Sequence, residues 1–230
     1  MLRIGLLGGM SWESTAEYYR LINEMVRDRL GGLHSADCLL RSVDFAPIEE
    51  LQAKGQWEEA GAALAAAAVE LERGGAKLLV LCTNTMHKVA PAIERAVSIP
   101  FINVIDETAR AVTATGTTTV GLLGTAFTME QDFYRDGLAA HGLEMLTPNP
   151  EDRAIVHRVI YEELCLGVIS VDSRKEYQRI IAGLASRGAE GVILGCTEIE
   201  LLISQTDADI ALYPTTSIHA QAAVDAALAG

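Results

Sequence analysis

The sequence predicts an α/β protein of two similar lobes, each a parallel sheet flanked by helices, and three observations carry that expectation. RGGAKLLVLCTNT at 73–85 is echoed by RGAEGVILGCTE at 187–198. IGLLGGMSWESTAEYYR at 4–20 is echoed by VGLLGTAFTMEQDFYR at 120–135, in the same order and at nearly the same offset, which marks a tandem duplication. Short apolar runs alternate with helical stretches, a pattern that builds parallel sheets through right-handed crossovers.

The elements follow in order. Ile4–Leu7 and its copy from Val120 open the halves as apolar strands, each running into a glycine-containing loop. Ser14-Thr15-Ala16-Glu17 and Thr128-Met129-Glu130-Gln131 fit capping boxes at the helix starts that follow. Arg20 aligning with Arg135 implies one residue less in the second loop. Second strands are expected at Ala36–Asp44 and Leu143–Thr147. Helices are expected at Trp57–Arg73 and Ser173–Arg187, ended by Gly74 and Gly188. Leu78–Leu81 and Val192–Leu194 are wholly apolar, as strands covered on both faces should be. Phe101–Ile105 and Ile210–Tyr213 are the fourth strands, and helical residues follow both. The expected division is a first lobe over 1–105 and a second over 106–215, closely packed for want of a flexible linker.

Composition narrows the function. Of 230 residues 50% are apolar and 21% charged, ordinary for a globular chain with a real core. A net charge of −13 without a basic stripe argues against nucleic acid and against an anionic membrane surface. Cys38, Cys82, Cys165 and Cys196 show neither zinc nor disulfide spacing. The chain opens directly into a strand and holds no apolar run of membrane-spanning length, so a cytoplasmic protein with free thiols is expected.

Ligands of open α/β sheets bind at the carboxyl ends of strands. Both glycine loops and both Cys/Thr corners lie at that edge, so the site is expected in the cleft between the lobes. Gly8-Gly9-Met10-Ser11 and Gly124-Thr125-Ala126-Phe127 precede helix starts whose amides favour a carboxylate, or are simply tight turns. Neither the dinucleotide fingerprint nor a P-loop is present. Cys196 at a strand end before a helix reads as a thiol poised toward thiolate, or as a buried structural thiol. The polar runs Thr83-Asn84-Thr85 and Thr197-Glu198 favour the former. The histidines lack ligand spacing, so no metal is expected. His87 reads as a donor standing behind the corner or as a satisfied helix-start histidine. Cys38 and Cys165 read as core, and no nucleophile elbow marks a serine hydrolase.

Over its whole length the chain resembles the cofactor-independent aspartate/glutamate racemases of the Asp/Glu/hydantoin racemase superfamily, most of all their enteric bacterial branch. The likeness rests on GLLGGMSWEST at 5–15, CTNTMHK at 82–88, GTAFTMEQDFY at 124–134, EELCLG at 162–167 and GCTEIELL at 195–202. It implies a racemase of aspartate and/or glutamate without pyridoxal phosphate or other cofactor, a homodimer, and a final helix around 216–230 that returns to the first lobe. Family members generally carry one cysteine per lobe. By chain position those roles fall to Cys196 as the main acid/base and to Thr83, which stands where the second cysteine is usual. The resemblance also points to Met10 (through its amide), Gln52, Asn84, Thr85, Thr125 and Thr197 as substrate contacts, with Glu198 and His87 behind them. Other branches place basic side chains at equivalents of 46–52 and 162–167; here Ala46 to Gln52 contains no Arg or Lys, and Leu164 occupies the second segment. A single-cysteine lyase or isomerase of the same superfamily, a malonate-type decarboxylase or a maleate isomerase, is the alternative. A small-molecule binding protein is a more distant one.

Overall fold

Apolar residues at 4–8 and 78–81 become neighbouring strands because helices cover both their faces. In the computed structural model, which describes residues 1–230, the chain divides into two units: Met1–Val104 with His219–Gly230, and Ile105–Ile218. The first unit runs β1 (Ile4–Gly8), α1 (Trp12–Leu30), β2 (Cys38–Ser42), α2 (Phe45–Ala53), α3 (Trp57–Arg73), β3 (Leu78–Leu81), a 3₁₀ turn (Thr85–Val89), α4 (Ala90–Ala96) and β4 (Phe101–Ile102). Its parallel sheet has the order β2-β1-β3-β4, with Ile4 level with Cys38 on one side and Leu78 on the other. The two-residue period of a strand sorts the side chains. Ile4, Leu6, Leu78, Val80 and Cys82 pack with Tyr18, Ile22 and Val26, while Leu7, Leu79 and Leu81 pack with Leu64, Ala68 and Leu71. Each such Leu or Ile contributes roughly 1.5–3 kcal/mol by leaving water.

The second unit repeats the plan: α5 (Val104–Thr113), β5 (Thr119–Leu123), α6 (Ala126–Glu130), α7 (Asp132–Ala140), β6 (Glu144–Leu146), α8 (Pro150–Glu162), a 3₁₀ turn (Leu164–Leu166), α9 (Val171–Ser186), β7 (Gly191–Leu194), α10 (Ile199–Leu202), a 3₁₀ turn (Gln205–Asp207) and β8 (Ala211–Pro214). Its sheet order is β6-β5-β7-β8, again parallel throughout. Val192, Leu194 and Cys196 share one core with Val159 of α8 and with Tyr177 and Ile181 of α9. The last helix, α11 (Thr215–Ala229), starts in the second unit, and its Ala220, Ala223, Val224 and Ala227 join the cluster around Ile4 and Leu6 of the first.

Four local expectations are corrected. The helix caps lie three residues before the proposed boxes: Ser11 accepts from the Ser14 amide and Thr125 from the Thr128 amide. The cap is thus the third residue after Gly8 but the first after Gly124, and the helix that is continuous in α1 breaks at Gln131 between α6 and α7. α3 is ended in the left-handed conformation by Gly75 (φ 98°), the counterpart of Gly188 (φ 102°), while Gly74 remains right-handed. β4 stops at Ile102 because the chain turns into α5 at Val104, whose amide is drawn to the His87 ring instead of a ladder partner. α9 starts at Val171, capped by Ser170.

Candidate active site

The two corners are built by the same bond. At the end of β3 the Cys82 amide donates to Leu7 O at 2.9 Å; at the end of β7 the Gly195 amide donates to Leu123 O at 2.7 Å. The second corner is tight at Gly195, where a Cβ would lie 3.0 Å from Leu122 Cδ1 and 3.1 Å from Leu123 O. Cys82 fills the equivalent place in the first corner, wholly buried, and burial pushes its thiol far up.

In the first corner Thr83 is held through its carbonyl, which lies 2.7 Å from His87 Nδ1. His87 Nε2 accepts from the Val104 amide at 3.1 Å, so the proton sits on Nδ1 and the ring is neutral. Burial and the neighbouring His219 lower the His87 pKa to about 3. His219 spans the same region, with Nε2 2.6 Å from Ile102 O and Nδ1 2.9 Å from the Tyr18 hydroxyl. Both nitrogens of both rings are engaged, which suits these groups to hold backbone rather than to carry protons. Asn84 is buried at the head of the 3₁₀ turn, and the Gln52 amide nitrogen lies 2.7 Å from Met86 Sδ. The adjoining loop is fixed by Gly9 N to Thr15 Oγ1 at 2.8 Å, with the Met10 side chain buried. Lys88 and Trp57, which the sequence did not single out, come together with the ammonium 4.0 Å from the ring centre.

In the second corner the Cys196 thiol donates to Glu198 Oε2 at 2.9 Å. The expected pull toward thiolate is corrected: burial, and then the Glu198 carboxylate, raise the Cys196 pKa well above its ordinary value. The following helix, α10, has only four residues and is too short to oppose this. Cys196 is therefore a protonated thiol with an acceptor already in place. Thr197 Oγ1 accepts from Thr216 Oγ1 at 3.2 Å, and Thr215 Oγ1 donates to Leu194 O at 2.8 Å, pinning the corner to the start of α11. The β5–α6 loop lies alongside, since a Cβ on Gly124 would sit 3.1 Å from Gly195 O. Thr125 is buried there as the α6 cap. His157 of α8 takes the Ala126 amide on Nδ1 at 3.2 Å, a partner that its sequence position gave no means of finding. Cys165 is half-buried beside the core that holds Cys196. No group of three His, Cys, Asp or Glu side chains could hold a metal ion, and no helix is long and apolar enough to cross a membrane.

Comparison with known proteins agrees with this architecture. The family model for Asp/Glu/hydantoin racemase matches residues 7–223. A Yersinia pestis protein assigned to the Asp/Glu racemases has a crystal structure similar to this one at TM-score 0.94 and 53% identity, over 99% of this chain and 100% of the other. An aspartate racemase homologue from Pyrococcus horikoshii OT3 is similar at TM-score 0.89 and 35% identity, with the same coverage. The broad-specificity amino-acid racemase RacX of Bacillus subtilis is 22% identical over 230 residues, 98% of each chain.

Proposed function

The chain belongs to the Asp/Glu/hydantoin racemase family, an amino-acid racemase and so an isomerase, and we propose that it racemises aspartate and/or glutamate with Cys196 as the principal acid/base. The observation that carries this is the Cys196 thiol hydrogen-bonded to Glu198 at the end of β7. Racemisation removes the Cα proton from one face and returns one to the other, so it needs a proton acceptor and donor on each face. Glu198 receives the thiol proton, the resulting thiolate removes the Cα proton from one face, and the Thr83 hydroxyl gives its proton to the other face and is re-protonated from solvent; the opposite enantiomer follows the same transfers in reverse. Thr83 serves the opposite face. Its hydroxyl is a much weaker acid than a thiol, while its backbone is held by the carbonyl on His87 and by the amide donating to Leu81 O. The two directions of exchange are therefore unequal.

A carbanion at Cα spreads its charge onto the carboxylate, so donors at that group lower the barrier. Asn84, Thr85, Thr125, Thr197 and the Met10 amide are the donors of this reading, and Gln52 is a further contact. Glu198 and His87 act from behind them. A cytoplasmic setting is part of this reading, since the four cysteines lack disulfide spacing; a homodimer rests on the family resemblance and is checked by light scattering.

Incubation with each enantiomer of aspartate and glutamate, without added cofactor, followed by chiral chromatography tests the assignment. Inversion is expected. Release of carbon dioxide from a substituted malonate, or fumarate from maleate, without inversion of either amino acid would replace it by the lyase or isomerase reading.

A further inference from the structure

We propose that His219 is a positioning residue for Thr83: with Tyr18 it closes a ring of buried hydrogen bonds that fixes the backbone of the Thr83 corner. This rests on the racemase reading above and adds the residues that hold the second face of the reaction in place.

Every link of the ring lies in the first unit. His87 Nδ1 donates to Thr83 O at 2.7 Å, and its Nε2 accepts from the Val104 amide at 3.1 Å. Two residues back along the chain, Ile102 O lies 2.6 Å from His219 Nε2. His219 Nδ1 lies 2.9 Å from the Tyr18 hydroxyl. Tyr18 and Ser14 are four apart on α1 and so share a face. The Ser14 hydroxyl donates to Cys82 O at 3.3 Å, and Cys82 leads into Thr83.

The directions of these bonds are mutually consistent. A carbonyl only accepts, so His219 carries its proton on Nε2, and Nδ1 accepts from Tyr18. Each imidazole is then neutral, with one donor and one acceptor, and all the links form together. The two rings also meet edge to face, with centres 5.6 Å apart. Ser14, Tyr18, His87 and His219 are all buried. A satisfied buried polar network fixes a single arrangement. A proton-transfer group displaced by about 1 Å can lose about a hundred-fold in rate, so such a ring bears directly on Thr83.

The second unit repeats half of this device. Glu200 stands four residues after Cys196, as His87 does after Thr83, and it accepts from the amide of Thr216 in the first turn of α11 at 3.0 Å. A carboxylate only accepts, so it has no proton to give to the carbonyl four residues before it. His87 has one, and the Thr83 corner gains through it a grip that Glu200 does not supply to Cys196.

The test is Cα–H loss in D₂O from each enantiomer of aspartate and glutamate, with wild type, H219L, H219Q and Y18F, and with thermal melts of each. In H219L, loss from the slower enantiomer and inversion of either fall by about tenfold or more. Loss from the faster enantiomer changes little, because Cys196 and Glu198 keep their contact. H219Q keeps a donor for Ile102 O and recovers most of the slower rate. Y18F opens the ring at its other end and lowers that rate again. If H219L does not fold, H219Q and Y18F carry the test, and where the slower loss is too small to follow, the same changes are made in T83C. A purely structural role would lower the melt and scale both rates together. An unchanged ratio of the two rates in the folded variants, with wild type active, overturns the role of His219 alone. A wild type without exchange from any of the four substrates overturns the racemase reading and this inference with it.

Discussion

Cys196 Sγ donates to Glu198 Oε2 across 2.9 Å, inside the core of the second unit. The carboxylate raises the thiol pKa, and in the proposed mechanism it also takes the thiol proton. These two effects have opposite consequences when Glu198 is neutralised. E198Q removes a negative charge beside the thiol, so thiolate absorbance, read against C196S, appears at lower pH than in wild type. The same change removes the proton acceptor, and Cα exchange falls by about a hundred-fold or more. A variant that exchanges as fast as wild type would remove Glu198 from the proton path.

Thr83 offers a converse test. T83C places a thiol where the family usually carries one, on a corner whose backbone His87 already holds. Exchange from the slower enantiomer should rise by about tenfold or more, because a thiol is a far stronger acid than a hydroxyl in the same surroundings. Exchange from the faster enantiomer should change much less. Equal effects on both would show that the two residues are not assigned to separate faces.

The duplication made most of the fold legible. A repeated apolar strand followed by the same loop predicts the same corner twice, and the bounds of α3 and β3 follow directly from Trp57–Arg73 and Leu78–Leu81. Elements whose ends depend on distant partners were not legible. β4 ends early because His87, seventeen positions back, takes the Val104 amide. His157 meets Ala126 across 31 positions. The Cys196 environment is hidden for a related reason: a sequence pattern shows that a helix follows the thiol, but not its length or the orientation of Glu198.

The paired histidines make the first unit sensitive to acid. Their folded pKa values are lowered, His87 to about 3 and His219 to about 4, each chiefly by burial. An unfolded chain binds a proton at each near pH 6.5, so below that pH it holds more protons than the folded chain. The stability these neutral rings contribute is complete above pH 6.5 and is lost as pH falls toward 4, by up to about 1.4 kcal/mol per pH unit for each ring. Urea midpoints from pH 7 to pH 5 should fall in wild type and fall less steeply in H219Q. Parallel slopes would mean that these rings do not stay neutral in the fold.

Gly195 is a position where the corner is tightly packed. G195A forces a methyl against Leu122 Cδ1 and Leu123 O, at 3.0 and 3.1 Å. A loss of about 1–3 kcal/mol is expected from overpacking, with reduced exchange because Cys196 is the next residue. An unchanged melt would mean the β5–β7 packing relaxes freely.

The most direct measurement is proton NMR in D₂O without added cofactor, following Cα–H loss separately from L- and D-aspartate and from L- and D-glutamate. Fast loss from one enantiomer, with slow loss and little inversion from the other, and the fast loss alone abolished in C196S, is the result expected of a Cys196–Glu198 acid/base opposite a weak Thr83. Undiminished loss with C196S, or equal rates from both enantiomers in wild type, would contradict it.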